Sequence, residues 1–115
     1  IDLVQLKFAN QLNEFSEIIL TKVDVLSGLK NIKLCVGYKV NGKDFAGVPS
    51  DIHNFKNIEP VYETLPGWGS LPNHIESLNQ CPDELKNFVA RVEKVAGVKV
   101  SLISYGPDRN QTFKI

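Results

Sequence analysis

Pro82–Ile103 reads PDELKNFVARVEKVAGVKVSLI, and its reading decides the fold. Pro82 with Asp83 and Glu84 marks a helix start. Pro has no N–H to lose in the first turn, and the acids face the positive end of the helix dipole. Leu85, Phe88, Val89, Val92, Val95 and Ala96 then recur at three- and four-residue spacing as one apolar stripe. Gly97 is the expected stop, because a helix commonly ends in a left-handed residue that Gly adopts without strain. Val98–Ile103 follows at once as an apolar strand. A helix running straight into a strand is the pattern of an α/β protein.

The same alternation stands at the other end of the chain. Asp2 can cap a helix carrying Leu3, Val4, Leu6, Phe8, Ala9 and Leu12, with Val4, Phe8 and Leu12 on one stripe and Asn13 as its stop. Glu17–Leu20 is a short buried strand. Between the two ends, Ile32, Leu34, Val36, Tyr38 and Val40 alternate with Lys33, Cys35, Gly37 and Lys39, a period-two strand. Asn41-Gly42 follows, the strongest short hairpin signal, since both turn residues need positive φ. Lys43 to Val48 is the returning strand, ended by Pro49. Asp51 to Pro60 reads as an irregular connection, Val61–Leu65 as a strand stopped by Pro66-Gly67, and Ser70–Gln80 as a weak helical pattern. Thr112–Ile115 closes the chain as a strand. The expected fold class is α/β, a mixed sheet with flanking helices and a central β-hairpin, with residues 1–115 as a single unit.

Bulk properties narrow the function less. With 115 residues, 43% of them hydrophobic and 23% charged, the chain suits one modest core. Thirteen basic residues balance thirteen acidic ones, so no net charge steers it toward nucleic acid or an anionic membrane. No apolar run approaches the length of a membrane span, and no signal-peptide pattern is present. Two cysteines, Cys35 and Cys81, are too few for a disulfide framework; Cys35, within an alternating strand pattern, reads as a buried free thiol, which suits a reducing setting. The chain has no methionine and opens on Ile1-Asp2-Leu3, the start of a helix, which suggests a piece of a longer protein.

Two strand ends carry the chemistry. Thr21-Lys22-Val23-Asp24 leaves the apolar run Ile18–Leu20. An Asp there can accept paired hydrogen bonds from guanine N1–H and N2–H₂, which adenine does not offer. Such a site discriminates because the wrong ligand leaves polar groups unpaired. Lys22 can lay its methylene stem along the base. Ser104-Tyr105-Gly106-Pro107 leaves the second apolar strand. Ser104 offers a hydroxyl, the Tyr105 and Gly106 amides can point at a carbonyl oxygen, and Pro107 offers a flat face to a ring. Ligands of open α/β sheets bind outside the carboxyl ends of strands, so the two loops suit opposite walls of one pocket. Each loop taken alone also reads as an ordinary solvated turn.

Other candidates are weaker. Gly67-Trp68-Gly69 is no phosphate loop, and Trp68 reads as a core or hinge aromatic before a ligand platform. His53 and His74 show no metal-ligand spacing with either cysteine. Asp108 and Arg109 are expected to form a local ion pair ordering the last turn.

Four blocks, in order, resemble the C-terminal part of the adenylosuccinate synthetase family. Leu20–Leu29 is similar to LTKLDVLDGL, Ile32–Tyr38 to IKVCVGY, Glu59–Trp68 to EPVYETLPGW, and Val100–Arg109 to VSIISTGPDR. The family has Thr where this chain has Tyr105, a change that a backbone contact survives and a side-chain hydroxyl contact does not. The resemblance implies part of a larger P-loop-NTPase-like ligase fold. It also implies a cytoplasmic, homodimeric enzyme that joins IMP to L-aspartate with GTP and Mg²⁺, forming adenylosuccinate on the way to AMP. Carried over by position, Lys22, Val23, Asp24, Ser104, Tyr105 and Gly106 hold the guanine of GTP, and Pro107 packs on the base. No catalytic or metal-binding residue of the family matches a position here, so the chain alone is expected to be inactive. The competing readings are a stand-alone α/β binding or interaction module with structural loops, and a different GTP-binding protein.

Overall fold

The computed structural model describes residues 1–49 and 57–115. The elements run in the order α1 (Leu3–Asn13), β1 (Ile18–Leu20), β2 (Asn31–Val40), β3 (Lys43–Phe45), β4 (Ile58–Pro66), α2 (Asp83–Ala96), β5 (Val100–Ser104) and β6 (Thr112–Lys114). Single 3-10 turns lie at Val23–Leu26 and Leu78–Gln80. Among the described residues the strands form two three-stranded sheets. One is mixed, in the order β1-β5-β6, and the other antiparallel, in the order β3-β2-β4. The α/β class and the hairpin are as the sequence implies, with the hairpin and β4 in a sheet separate from that of β1, β5 and β6.

α2 follows its sequence closely. Leu85, Phe88, Val89, Val92 and Ala96 are buried, and Gly97 caps the end at φ 71°. Glu93 then ties the helix to the strand it feeds: one carboxylate oxygen accepts from the Val100 N–H at 2.9 Å and the other from Lys99 Nζ at 3.1 Å.

α1 starts and stops where expected. Asp2 Oδ1 accepts from the Val4 and Gln5 amides, each at 3.0 Å, and Asp2 Oδ2 accepts the Tyr38 hydroxyl from β2. Near the other end, Asn10 Nδ2 donates to the Ala96 carbonyl at 3.1 Å. These two pins set the rotation of the helix, so that Leu3 is buried and Leu6 packs against the core. On the stripe of Val4, Phe8 and Leu12, Val4 is half-buried while Phe8 is 39% and Leu12 67% exposed. Four-residue spacing marks the stripe but not which face is buried; polar anchoring decides that.

The Asn41-Gly42 turn has positive φ at both residues, 52° and 75°. β3 ends at Phe45 rather than running to Val48, because the chain turns at Gly47, whose φ is 91°. β4 begins at Ile58, so Ile58–Pro60 is strand where the sequence suggested an irregular connection. It pairs Val40 with Ile58, Lys39 with Glu59 and Tyr38 with Pro60. Pro60 is tolerated because β4 is an edge strand, where a missing N–H costs no ladder bond. Most of the remaining connection, with His53, lies outside the described residues. In place of a helical stretch over Ser70–Gln80 there is only the 3-10 turn Leu78–Gln80, closed by a reciprocal Ser77–Gln80 capping box.

The core lies between α2, the two sheets and the Trp68–Ile75 segment. Leu3, Leu34, Ile75, Leu85, Val92 and Ile103 are fully buried in it. Trp68 is a core residue, its ring edge-on to Phe88 at 5.4 Å between centroids. Cys35 and Cys81 are free, buried thiols. Burial pushes both above the ordinary thiol pKa, which keeps them protonated and unreactive.

Candidate functional site

β1 and β5 are parallel neighbours, with Leu20 beside Ile103 in the register. Both chains therefore leave the sheet at the same edge, one strand spacing apart, about 5 Å. The two sequence-predicted loops start side by side, and pairing between their parent strands is what brings them together.

The first loop is anchored from within. After Leu20 and Thr21, Lys22 takes a left-handed conformation, φ 59° and ψ 37°. That reversal starts the 3-10 turn Val23–Leu26 and drives the Val23 side chain into the core, leaving it 2% exposed. The Val23 side chain is thus an anchor. The Asp24 carbonyl accepts from the Ser27 N–H at 3.0 Å, and the Gly28 N–H donates to the Trp68 carbonyl at 2.8 Å. Gly67 completes the support: a Cβ there would stand 1.8 Å from the Leu29 carbonyl oxygen, so only glycine permits this approach. The result is a rigid base under Lys22, which is exposed, and Asp24, which is half-buried. Among the described residues, no ion pair engages either side chain. A hollow of about 520 Å³ opens beside this loop, walled by Lys22, Val25, Leu29, Ile32, Lys33 and Phe88 among others. Neither Asp24 nor the second loop lines it.

The second loop is braced by its own side chains. Ser104 ends β5, and its hydroxyl donates to the Gly106 carbonyl at 3.3 Å. Tyr105 is buried, its ring tilted against Phe113 with centroids 5.9 Å apart. Its hydroxyl accepts from the Ile75 N–H at 3.0 Å and faces the Ile75 carbonyl at 3.4 Å. Its own N–H donates to the Gln111 carbonyl at 2.9 Å. Of the two amides expected to face a ligand, Tyr105's is therefore committed internally. Gly106's is used by no hydrogen bond among the described residues. Pro107 is exposed beyond it.

The expected Asp108–Arg109 ion pair is not among the pairs of the described residues. Backbone and amide groups order that turn instead. Gln111 N–H donates to the Asp108 carbonyl at 2.9 Å, and Asp108 N–H donates to Gln111 Oε1 at 3.0 Å. Gln111 was invisible in the sequence, where it is one polar residue between a turn and a strand. His74 is exposed and 3.2 Å from Glu76. Among the described residues no three His, Cys, Asp or Glu side chains gather in a way that could hold a metal ion. No helix of the described residues is long and apolar enough to cross a membrane.

The family model of adenylosuccinate synthetase matches residues 1–113. The chain belongs to the adenylosuccinate synthetase family. The adenylosuccinate synthetase of Lawsonia intracellularis is 48% identical over 113 residues, a match covering 97% of this chain and 26% of that protein. That of Teredinibacter turnerae is 42% identical over 112 residues, with the same coverage of 97% and 26%. Among solved structures, a fully ligated adenylosuccinate synthetase from Plasmodium falciparum superposes with a TM-score of 0.93 at 29% identity. That match takes in 100% of this chain and 28% of the other. The chain thus spans about a quarter of the length of the family members it matches.

Proposed function

We propose that this chain is the guanine-recognition part of an adenylosuccinate synthetase, which joins IMP to L-aspartate at the expense of GTP. The observation that carries the reading is the side-by-side exit of the Thr21–Asp24 and Ser104–Pro107 loops from the parallel pair β1 and β5. In this reading the Asp24 carboxylate accepts from guanine N1–H and N2–H₂, and the Lys22 stem lies along the base. The Gly106 amide donates to O6, where adenine would present a donor of its own. Ser104 holds the Gly106 carbonyl, Pro107 packs on the ring, and Val23 and Tyr105 act as buried anchors of their loops. Charge-assisted pairing at Asp24 is the strongest of these contacts and sets the choice of base. Phosphate, Mg²⁺ and IMP chemistry is assigned to no residue here.

Two surface features favour this reading over a stand-alone interaction module. β1 is an edge strand, and Ile19 on it is 56% exposed. Phe8 and Leu12 of α1 are exposed as well, and exposed apolar side chains of this size are the kind a larger body covers.

The test is Asp24→Asn in a full-length family member carrying this segment. The expected result is an affinity for GTP about tenfold or more weaker, with relaxed discrimination against ITP or XTP. Unchanged nucleotide preference overturns the assignment. The 115-residue chain by itself is expected to show no ligase turnover, and measured turnover would remove the chemistry from the rest of the family's length.

A further inference from the structure

We propose that Gln111 is a positioning residue for guanine recognition, setting the Gly106 amide without touching the nucleotide; this rests on the guanine reading above. Three hydrogen bonds radiate from this one residue to both limbs of the turn. Its carbonyl accepts from Tyr105 N–H, its N–H donates to the Asp108 carbonyl, and its Oε1 accepts from Asp108 N–H. Tyr105 and Asp108 flank Gly106 and Pro107, so Gln111 fixes the turn on either side of the amide offered to the base.

The same side chain explains why residue 106 is glycine. φ at Gly106 is not in the left-handed region, so conformation does not demand it. Space does. A Cβ at Gly106 would meet Gln111 Oε1 at 2.1 Å, Cδ at 2.4 Å and Nε2 at 2.8 Å. The Gln111 carboxamide occupies the volume that any other residue's Cβ needs. A methyl there would evict the carboxamide and break its bond to Asp108, loosening a turn that then rests on the two backbone bonds alone. Because the obstacle is the far end of a flexible side chain, eviction is possible without unfolding. Its consequence falls on the geometry of the loop.

This gives a specific pattern of coupling. Gln111→Ala removes the side-chain bond to Asp108 and leaves the two backbone bonds, and Gly106→Ala breaks that same bond by displacement. Once position 111 is alanine, a methyl at 106 has room, so the two changes cannot add.

The experiment measures GTP, IMP and aspartate KM, with GTP affinity by titration calorimetry, in a full-length family member carrying this segment. Gln111→Ala is expected to weaken GTP binding about tenfold while the KM for IMP and for aspartate hold. Gln111→Glu, which keeps the Oε acceptor for Asp108 N–H, is expected to retain most of the affinity. The double variant with Gly106→Ala should bind GTP no more weakly than the worse single one. Wild-type GTP affinity in Gln111→Ala, with Asp24→Asn impaired, overturns the role of Gln111 and leaves the guanine site standing. Fully additive losses in the double variant also overturn it. If Asp24→Asn and Gln111→Ala both bind GTP normally, the guanine reading itself fails and this inference falls with it.

Discussion

The side-chain amide of Asn10 in α1 donates to the backbone carbonyl of Ala96, the last residue of α2, at 3.1 Å. The same amide lies 3.4 Å from the Gly97 carbonyl, and its oxygen accepts the Phe15 N–H at 3.0 Å. One residue therefore supplies partners to helix-end carbonyls that have none within their own helix. Asn10→Ala is expected to cost about 1–2 kcal/mol of stability, the scale of losing partners for part-buried polar groups. Asn10→Asp should cost more than alanine. It cannot donate to Ala96, and it sets a negative charge at the negative end of the α2 dipole. Urea unfolding of the three proteins checks the order, and an aspartate variant as stable as wild type would contradict it.

Gly67 and the Leu29 carbonyl oxygen are closer than any side chain allows, since a Cβ at 67 would lie 1.8 Å from that oxygen. The obstacle is backbone, held by the Gly67 N–H to Lys30 carbonyl bond at 3.0 Å, so no side chain can swing away. Gly67→Ala is expected to destabilise by about 3 kcal/mol, at the upper end for overpacking. Gly69→Ala is the matched control, because a Cβ there meets nothing within 4 Å. The sole tryptophan, Trp68, reports both transitions through its fluorescence. Equal midpoints for the two variants would refute the contact.

How far these features were legible in the sequence depends on whether they are local. α2, its stop at Gly97 and the Asn41-Gly42 turn were readable because stripe, cap and positive φ are properties of neighbouring residues. β4 was under-read at its start because Pro60 signals a break, and only the edge position of the strand excuses it. The facing of α1 is not legible in the sequence, because Asp2 and Asn10 meet partners 36 and 86 residues away. In the candidate site, Lys22, Asp24 and the Ser104–Gly106 loop stood out as exits from apolar strands. The brace at Gln111 did not, because its identity matters only through the space above Gly106.

Tyr38 links the same network to pH. Burial, and then its hydrogen bond to Asp2, push its hydroxyl pKa from the usual 10 up to about 12. The neutral phenol is the form the fold favours, so its contribution is complete below pH 10. It is lost as pH rises from about 10 toward 12, because the unfolded chain ionises first. Wild-type stability is therefore expected to fall with pH across that window. Tyr38→Phe should start about 1 kcal/mol less stable at neutral pH, for the lost Asp2 bond, and fall less steeply above pH 10. Denaturant midpoints at neutral and alkaline pH measure both slopes. Parallel slopes would show that Tyr38 does not titrate as described.

Lys22 holds a left-handed backbone at φ 59°, as Asn41 does at φ 52°. Asparagine tolerates that region; lysine does so at a cost of about 1 kcal/mol, which persists where surroundings or function demand it. Lys22→Gly removes the strain but adds about 0.5–1 kcal/mol of unfolded-chain entropy. Stability is therefore expected to hold or rise slightly. GTP affinity should nevertheless fall several-fold, because the stem proposed to lie along the base is gone. Asn41→Gly, the same backbone change at a hairpin remote from either loop, should leave GTP affinity alone. Thermal unfolding and nucleotide titration on the two variants separate the effects. A Lys22→Gly protein that keeps full GTP affinity would show that the left-handed turn serves only to bury Val23, and that Lys22 reads no base.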